Sequence, residues 1–359
     1  MRTKIIRVAI VAAPGCIGST VHGLLDAFAC ANFCAATEKA TSGISFKISI
    51  VSPDGESVRS YNGHTINADG NLKKAEGADI ILLAPIMPAT APGEAIISKA
   101  KEFDSVLTWL RAQSRGGSCI ATSCTGSFLL AEAGLLDGKV ATTHWRAAHA
   151  FRARYPEVVL RESDLITESG NIVCSGGAVS YIDLALHLIR RFGGSSLALR
   201  CARMLVFDPG RDRQSPYLAF EPEKAHGDKT ILKAQEWLET NYWRDIDVES
   251  ISGLLGMSSR NFKRRFKAAC GEPMTTYLQR IRLAASCDRL ASSDARIQQI
   301  IFDVGYTDAS SFCRLFKEFT GLTMGDYRKR FWSKTDAHTN QTRRPKLRAG
   351  TGRKMAAAS

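Results

Sequence analysis

The sequence predicts two domains: an α/β sandwich around a parallel sheet over residues 1–210, and an all-α domain of two helix-turn-helix units over 228–332. Three observations predict this. Strands that are apolar throughout alternate with helices in the first 200 or so residues. Two segments of the C-terminal part, 251–280 and 300–330, match each other. Basic residues predominate only from Arg211 onward, whereas acids and bases nearly balance from Met1 to Gly210.

A chain of 359 residues exceeds one ordinary core and fits about two domains. Its 45% apolar content supports globular packing. The net charge of +13 favours polyanionic partners, nucleic acid ahead of an acidic membrane surface. Ten cysteines are scattered, with no CxxC pair and no Cys/His metal spacing, so reduced thiols without a metal or cofactor are expected. The start, MRTKIIRVAIVAAPGC, imitates a secretory leader. Its apolar run is short and Pro14-Gly15 breaks it, so a buried first strand is expected instead. No run approaches the ~18 apolar residues of a membrane span.

In order, IIRVAIVAA is a strand and Val21–Cys34 a helix carrying Leu24, Leu25, Phe28 and Ala31. SFKISIVS and ADIILLAP are strands, Ile96–Gln113 is a helix, and GGSCIATS is a strand running into Cys124. VATTHW and NIVCSGG are further strands, followed by a helix at Val179–Arg191. Ligands in such sheets gather at the carboxyl ends of the strands, which places Cys124 and the 84–88 loop together. Residues 121–136, ATSCTGSFLLAEAGLL, form a strand, a tight turn at Cys124 and a helix. Such an elbow exposes a side chain on a strained turn and aims it at a helix N-terminus, where backbone N–H groups lower a thiol pKa and hold an oxyanion. Residues 211–227 are expected to be a linker, within the proline- and charge-rich stretch Asp208–Asp228, and helix returns at Ile231–Asn241. The basic tail 333–359 has little apolar content and is expected to be disordered.

The C-terminal repeat pairs Gly256 with Gly305, Phe262 with Phe312, Phe266 with Phe316, Gly271 with Gly321, and Tyr277 with Tyr327. Val248, Ile251 and Leu255 form one apolar stripe, and Ile297, Ile300 and Val304 another. Gly256 and Gly305 stand where a helix ends and the chain turns sharply. Ser258 and Asp308 are N-caps for the next helix. In that helix the i,i+4 phenylalanines face inward. The opposite face presents Arg260, Lys263, Arg264 and Lys267 in the first unit and Ser310, Ser311, Arg314 and Lys317 in the second. An aromatic inner face and a basic, hydrogen-bonding outer face suit a helix that enters a major groove.

On these residues, 228–332 resembles the AraC/XylS family of bacterial transcription regulators, with Met274–Leu290 as the helix that joins the two units. The resemblance implies double-stranded DNA as partner, with Arg260, Lys263, Arg264, Ser310, Ser311 and Arg314 reading bases. Ile301 and Thr323-Met324 depart from the family pattern, which usually has Ala and then Ser-Pro or Thr-Pro there. The elbow, with GLLDGKVATTHW after it, resembles the PfpI-type branch of the class I glutamine-amidotransferase-like superfamily, which implies a flavodoxin-like sandwich. The whole chain is similar to GlxA-type AraC regulators.

Enzymes of that superfamily supply an acid after the first strand, glycine N–H groups near the third strand and, in some branches, a histidine beside the nucleophile. Here Thr20 stands at the acid position, IMPATAP replaces the glycine loop, and Thr125 follows Cys124. His144 is the remaining candidate base, read as a structural hydrogen-bonder, a base or a ligand contact. The expectation is therefore a non-enzyme. Catalysis by Cys124 (a thiol-dependent hydrolase or amidase with a DNA-binding appendage) and redox sensing by Cys124 are the rival readings. Cys16, Ile17, Thr20, Ile86, Met87, Cys124, Thr125 and His144 are the candidate ligand pocket. The resemblance implies a cytoplasmic, homodimeric activator that works with RNA polymerase. It also implies an effector of amino-acid or quaternary-amine type.

Overall fold

Neighbouring residues on a strand point to opposite faces, so a strand that is apolar throughout must be covered on both sides. The computed structural model describes residues 3–37, 43–87, 98, 102–222, 224 and 226–332. It divides the chain into two units, Met1–Leu218 and Ala219–Ser359. The first contains β1 (Lys4–Val11), α1 (Gly18–Ala36), β2 (Ile44–Ser52), β3 (Val58–Arg59), β4 (Thr65–Ile66), β5 (Gly70–Asn71) and β6 (Ile80–Leu83). It continues with α2 (Asp104–Arg115), β7 (Cys119–Ser123), α3 (Ser127–Glu132), β8 (Val140–Ala141), α4 (Ala148–Arg154) and β9 (Val159–Leu160). Then follow β10 (Ile166–Ser169), β11 (Ile172–Ser175), α5 (Tyr181–Gly193) and α6 (Ser195–Met204). A seven-stranded sheet has the order β10-β11-β7-β6-β1-β2-β5 and is parallel except for the edge pair β10/β11.

Alternation then builds both cores. Ile6, Val8 and Ile10 of β1, with Ile80 and Leu82 of β6, pack against Leu24 and Phe28 of α1, Leu184 and Leu188 of α5, and Leu197 of α6. Ala9 and Val11, with Ile81 and Leu83, pack against Leu107 and Leu110 of α2, Leu130 of α3 and Phe151 of α4. This is the two-sided flavodoxin-like sandwich that the sequence predicts.

Four local expectations change. VATTHW is a strand only at β8, which pairs with β9 outside the main sheet. The hydroxyls of Thr142 and Thr143 instead donate to the carbonyls of Asp164 and Cys124, at 2.9 and 3.1 Å, and draw the chain out of the ladder. The helix expected over Ile96–Gln113 is described as α2 from Asp104, with Glu102 and Phe103 in a turn and Ser98 helical; residues 96, 97 and 99–101 lie outside the described residues. Helix α6 was not expected. Gly194, at φ 93°, ends α5 and lets a second helix start at once. Finally, the segment read as a linker is partly built into each unit. Leu165 N–H donates to Asp212 C=O at 2.9 Å, and Gln214 N–H to Ser163 C=O at 3.0 Å. The Gln214 side chain is buried and donates to Thr143 C=O at 2.8 Å. At the other end Phe220 packs edge-on against Tyr277, with ring centroids 5.0 Å apart.

The second unit contains α7 (Lys229–Asn241), α8 (Val248–Leu254), α9 (Ser259–Cys270), α10 (Met274–Ser292), α11 (Ile297–Asp303), α12 (Ala309–Thr320) and α13 (Met324–Phe331). It has two cores, one for each repeat. Phe262, Phe266, Met274, Tyr277, Leu278 and Ile281 belong to the first, and Leu283, Cys287, Leu290, Phe312, Phe316, Met324 and Tyr327 to the second. The correspondence holds in detail. Tyr277 meets Phe266 edge-on at 5.3 Å and 82°, and Tyr327 meets Phe316 at 5.5 Å and 84°. Ser258 and Asp308 cap α9 and α12, and Gly271 and Gly321 end them in the left-handed conformation. The departures from the family pattern are absorbed: Ile301 and Met324 are buried in the second core, and Thr323 caps α13.

Two predictions arise here. Burial pushes the Asp183 carboxyl up from 3.8 to about 6 against the opposing pull of Arg211, 3.7 Å away. The folded state then binds the extra proton, so this contribution is full below pH ~4 and lost as pH rises through about 6. Asp183→Asn should flatten that fall in urea-unfolding midpoints across this pH range; an unchanged profile contradicts the assignment. The second concerns the paired turns. A Cβ on Gly256, at φ 64°, meets open space, whereas one on Gly305, at φ 87°, comes 2.8 Å from the Trp243 carbonyl. Gly256→Ala should cost about 1 kcal/mol from the left-handed backbone, and Gly305→Ala clearly more. Equal losses in chemical denaturation contradict the close approach.

Candidate nucleic-acid interface and candidate ligand site

Helix α9 buries Phe262 and Phe266 and thereby turns Arg260, Lys263, Arg264 and Lys267 to solvent, all four exposed. Helix α12 does the same through Phe312 and Phe316: Ser310, Arg314 and Lys317 are exposed and Ser311 is half-buried. The two faces differ in charge. That of α9 carries four cations, whereas α12 has Glu318 beside Lys317 and Asp308 at its start. Asn261 accepts a hydrogen bond from the Arg264 guanidinium at 3.0 Å and steers it, a role that was not singled out in the sequence. Arg265 faces the other way, with its guanidinium donating to both Asp228 oxygens at 2.9 and 2.6 Å; it is a structural cation.

At the carboxyl ends of β1, β6 and β7 the structure brings together most of the predicted pocket residues. Cys16 and Ile86 form an antiparallel bridge. Ile17 N–H donates to Pro85 C=O at 2.9 Å, Met87 N–H donates to Gly15 C=O at 3.1 Å, and the Thr125 hydroxyl donates to Ile86 C=O at 2.7 Å. Cys16, Ile86, Cys124 and Thr125 are buried, and Ile17 and Met87 are half-buried. Residues 88–92 of the loop read as IMPATAP lie outside the described residues. Thr20, at the position of the expected acid, is buried in the first turn of α1 with its hydroxyl unpartnered. His144 caps a short turn, its Nδ1 accepting from Arg146 N–H at 3.2 Å. The hydroxyls that reach the Cys124 carbonyl are those of Ser127 and Thr143, both at 3.1 Å.

The elbow geometry is present. Cys124 adopts φ 54°, a strained left-handed conformation for a non-glycine residue. Gly126 follows because a Cβ there would run into the Thr122 hydroxyl. The chemistry differs. Cys124 is 1% exposed, and burial pushes its thiol up to about 11, only partly offset by the Thr125 N–H and hydroxyl. A nucleophilic or sensing thiol needs the opposite shift. Cys124 should therefore alkylate far more slowly than exposed Cys313 when the folded chain is treated with iodoacetamide and its peptides weighed; equal rates contradict this burial.

Two features escaped the sequence. Cys30, Cys34 and Cys201, scattered along the chain, meet in space with their sulfurs within 4.8 Å of one another. In the second unit an open cavity of about 590 Å³ is lined by Phe220, Tyr242, Ile281, Ala285 and Asp288. Sequence spacing signals neither, because both depend on packing between distant segments.

Comparison with known proteins agrees with both units. A DJ-1/PfpI family model matches residues 8–191, and a helix-turn-helix domain model matches 251–330. The HTH-type transcriptional regulator CdhR of Pseudomonas aeruginosa is 27% identical over 270 residues, covering 75% of this chain and 77% of that one. The HTH-type transcriptional regulator GlxA of Rhizobium meliloti is 28% identical over 224 residues, covering 62% and 69%. Isonitrile hydratase of Pseudomonas putida is 33% identical over 119 residues, covering 33% of this chain and 50% of the enzyme. The chain thus belongs to the DJ-1/PfpI family and carries a helix-turn-helix domain at its C-terminal end.

Proposed function

We propose that the protein is a sequence-specific DNA-binding transcription regulator, an activator, whose α/β unit senses a small metabolite without catalysis. The observation that carries this is the pair of equivalent helix-turn-helix units, each with an aromatic inner face and an exposed polar or cationic recognition helix. Relatives named as transcriptional regulators support it. In this reading Arg260, Lys263, Arg264 and Lys267 of α9 and Ser310, Ser311, Arg314 and Lys317 of α12 contact DNA, and α9 supplies more of the affinity. Cys16, Ile17, Thr20, Ile86, Met87, Cys124, Thr125 and His144 surround the effector site, and the effector is an amino acid or quaternary amine. The protein acts in the cytoplasm as a homodimer with RNA polymerase as its further partner. Effector binding shifts output only by its different affinity for two arrangements of the chain.

Two observations favour a thiol enzyme as the second reading: the strained Cys124 turn and the partial likeness to isonitrile hydratase. Against it stand the buried thiol, raised to about 11, and a hydroxyl at Thr20 where the acid belongs. Turnover of an amide, ester or isonitrile by the pure chain, abolished by Cys124→Ser, decides for the enzyme. For the regulator, Arg264→Ala should weaken specific DNA binding by ~1–3 kcal/mol and relax one base position, while Lys267→Ala weakens all sequences alike. Affinity measured at fixed salt on operator and scrambled duplexes checks this. An unchanged affinity and footprint removes Arg264 from the readout.

A further inference from the structure

Helix α1 places Cys30 and Cys34 one turn apart on the same face, and α6 brings Cys201 against them. We propose that these three cysteines form a three-thiolate site for a thiophilic d10 cation, zinc(II) in the first instance. Sulfurs bound to one such ion by bonds of about 2.3 Å lie ~4 Å apart. The observed spacing, within 4.8 Å for every pair, needs a contraction of less than about 1 Å, within reach of small side-chain rotations. The donor set fixes the class of ion. Among the described residues no carboxylate or imidazole joins the three sulfurs, and an all-thiolate set selects soft ions over magnesium or calcium.

The surroundings suit a held ion. Cys34 and Cys201 are buried, in a core that includes Phe46, Leu197 and Ala198. Cys30 is half-buried, the most exposed of the three, and water would supply the fourth ligand. Each thiol releases its proton to solvent as its sulfur binds, so zinc carries a site charge of −1. One turn beyond Cys34, the Thr37 hydroxyl accepts a hydrogen bond from Arg200 at 3.3 Å, which ties the same two helices beside the cluster. Packing as small apolar residues explains each thiol singly. The three thiols also hydrogen-bond one another, and a bound ion would replace those contacts with stronger ones. A bound ion would link α1 to α6 on one face of the sandwich.

The test uses the full chain, reduced and stripped of metal. Titration with zinc(II) or cadmium(II) should show one tightly bound equivalent, a thiolate-to-cadmium charge-transfer band and a higher melting temperature. Cys30→Ser, at a half-buried position that tolerates the change, should weaken binding at least tenfold and shrink the band. Cys201→Ser should do the same where it folds, and Cys313→Ser should change nothing. A folded, reduced wild-type chain that binds no equivalent, or binding unaltered by Cys30→Ser, overturns the site.

Discussion

Helix α10 is the element on which the second unit depends, because it belongs to both of its cores. Its first half closes the first repeat with Met274, Tyr277, Leu278 and Ile281; its second half closes the other with Leu283, Cys287 and Leu290. A 19-residue helix is about 28 Å long at 1.5 Å per residue, so it acts as a ruler between two recognition helices. Arg282, between the two apolar sets, clamps the arrangement. Its guanidinium donates to the carbonyls of Tyr242 and Arg244 at 2.8 and 2.7 Å and lies 5.3 Å from the Tyr306 ring. Gly305 sits against the same point, beneath the Trp243 carbonyl. The two helix faces proposed to read DNA are thus held by one helix and one cation rather than by a flexible tether.

In the first unit the sheet and α3 hold the strained strand–turn–helix at Cys124, and among the described residues hydroxyls stand at Thr20 and Thr125. Ser127, Thr143 and Thr125 spend their hydroxyls on backbone carbonyls. The result is a closely hydrogen-bonded edge in which the Cys124 thiol is buried and held away from ionisation. The buried Gln214, bonded to Thr142 and Thr143, ties the departing chain to the segment that supports the elbow. A ligand that moved this edge would therefore act on the first residues of the connection.

Features set by local pattern were legible in the sequence. The apolar strands, the phenylalanine pairs Phe262/Phe266 and Phe312/Phe316, the caps Ser258 and Asp308 and the turn glycines all follow from period and residue type. Features set by distant packing were not. Thr142 and Thr143 have high strand propensity, yet side-chain hydrogen bonds remove them from the ladder. Helix α6 follows α5 with only Gly194 to announce it. Most of the residues expected to share one sheet edge lie there, as topology alone predicts, but no sequence rule assigns Nδ1 of His144 to the Arg146 backbone. The Cys30, Cys34 and Cys201 cluster needs two helices to be docked before it exists.

The central claim is that one rigid unit presents two recognition helices to successive major grooves on one side of the duplex. Hydroxyl-radical footprinting of the full chain on its operator tests this most directly. The account predicts, for each protomer of the homodimer, two protected patches on the same face, about one helical turn (~10 base pairs) apart. A single short patch, or protection spread evenly around the duplex, would contradict it.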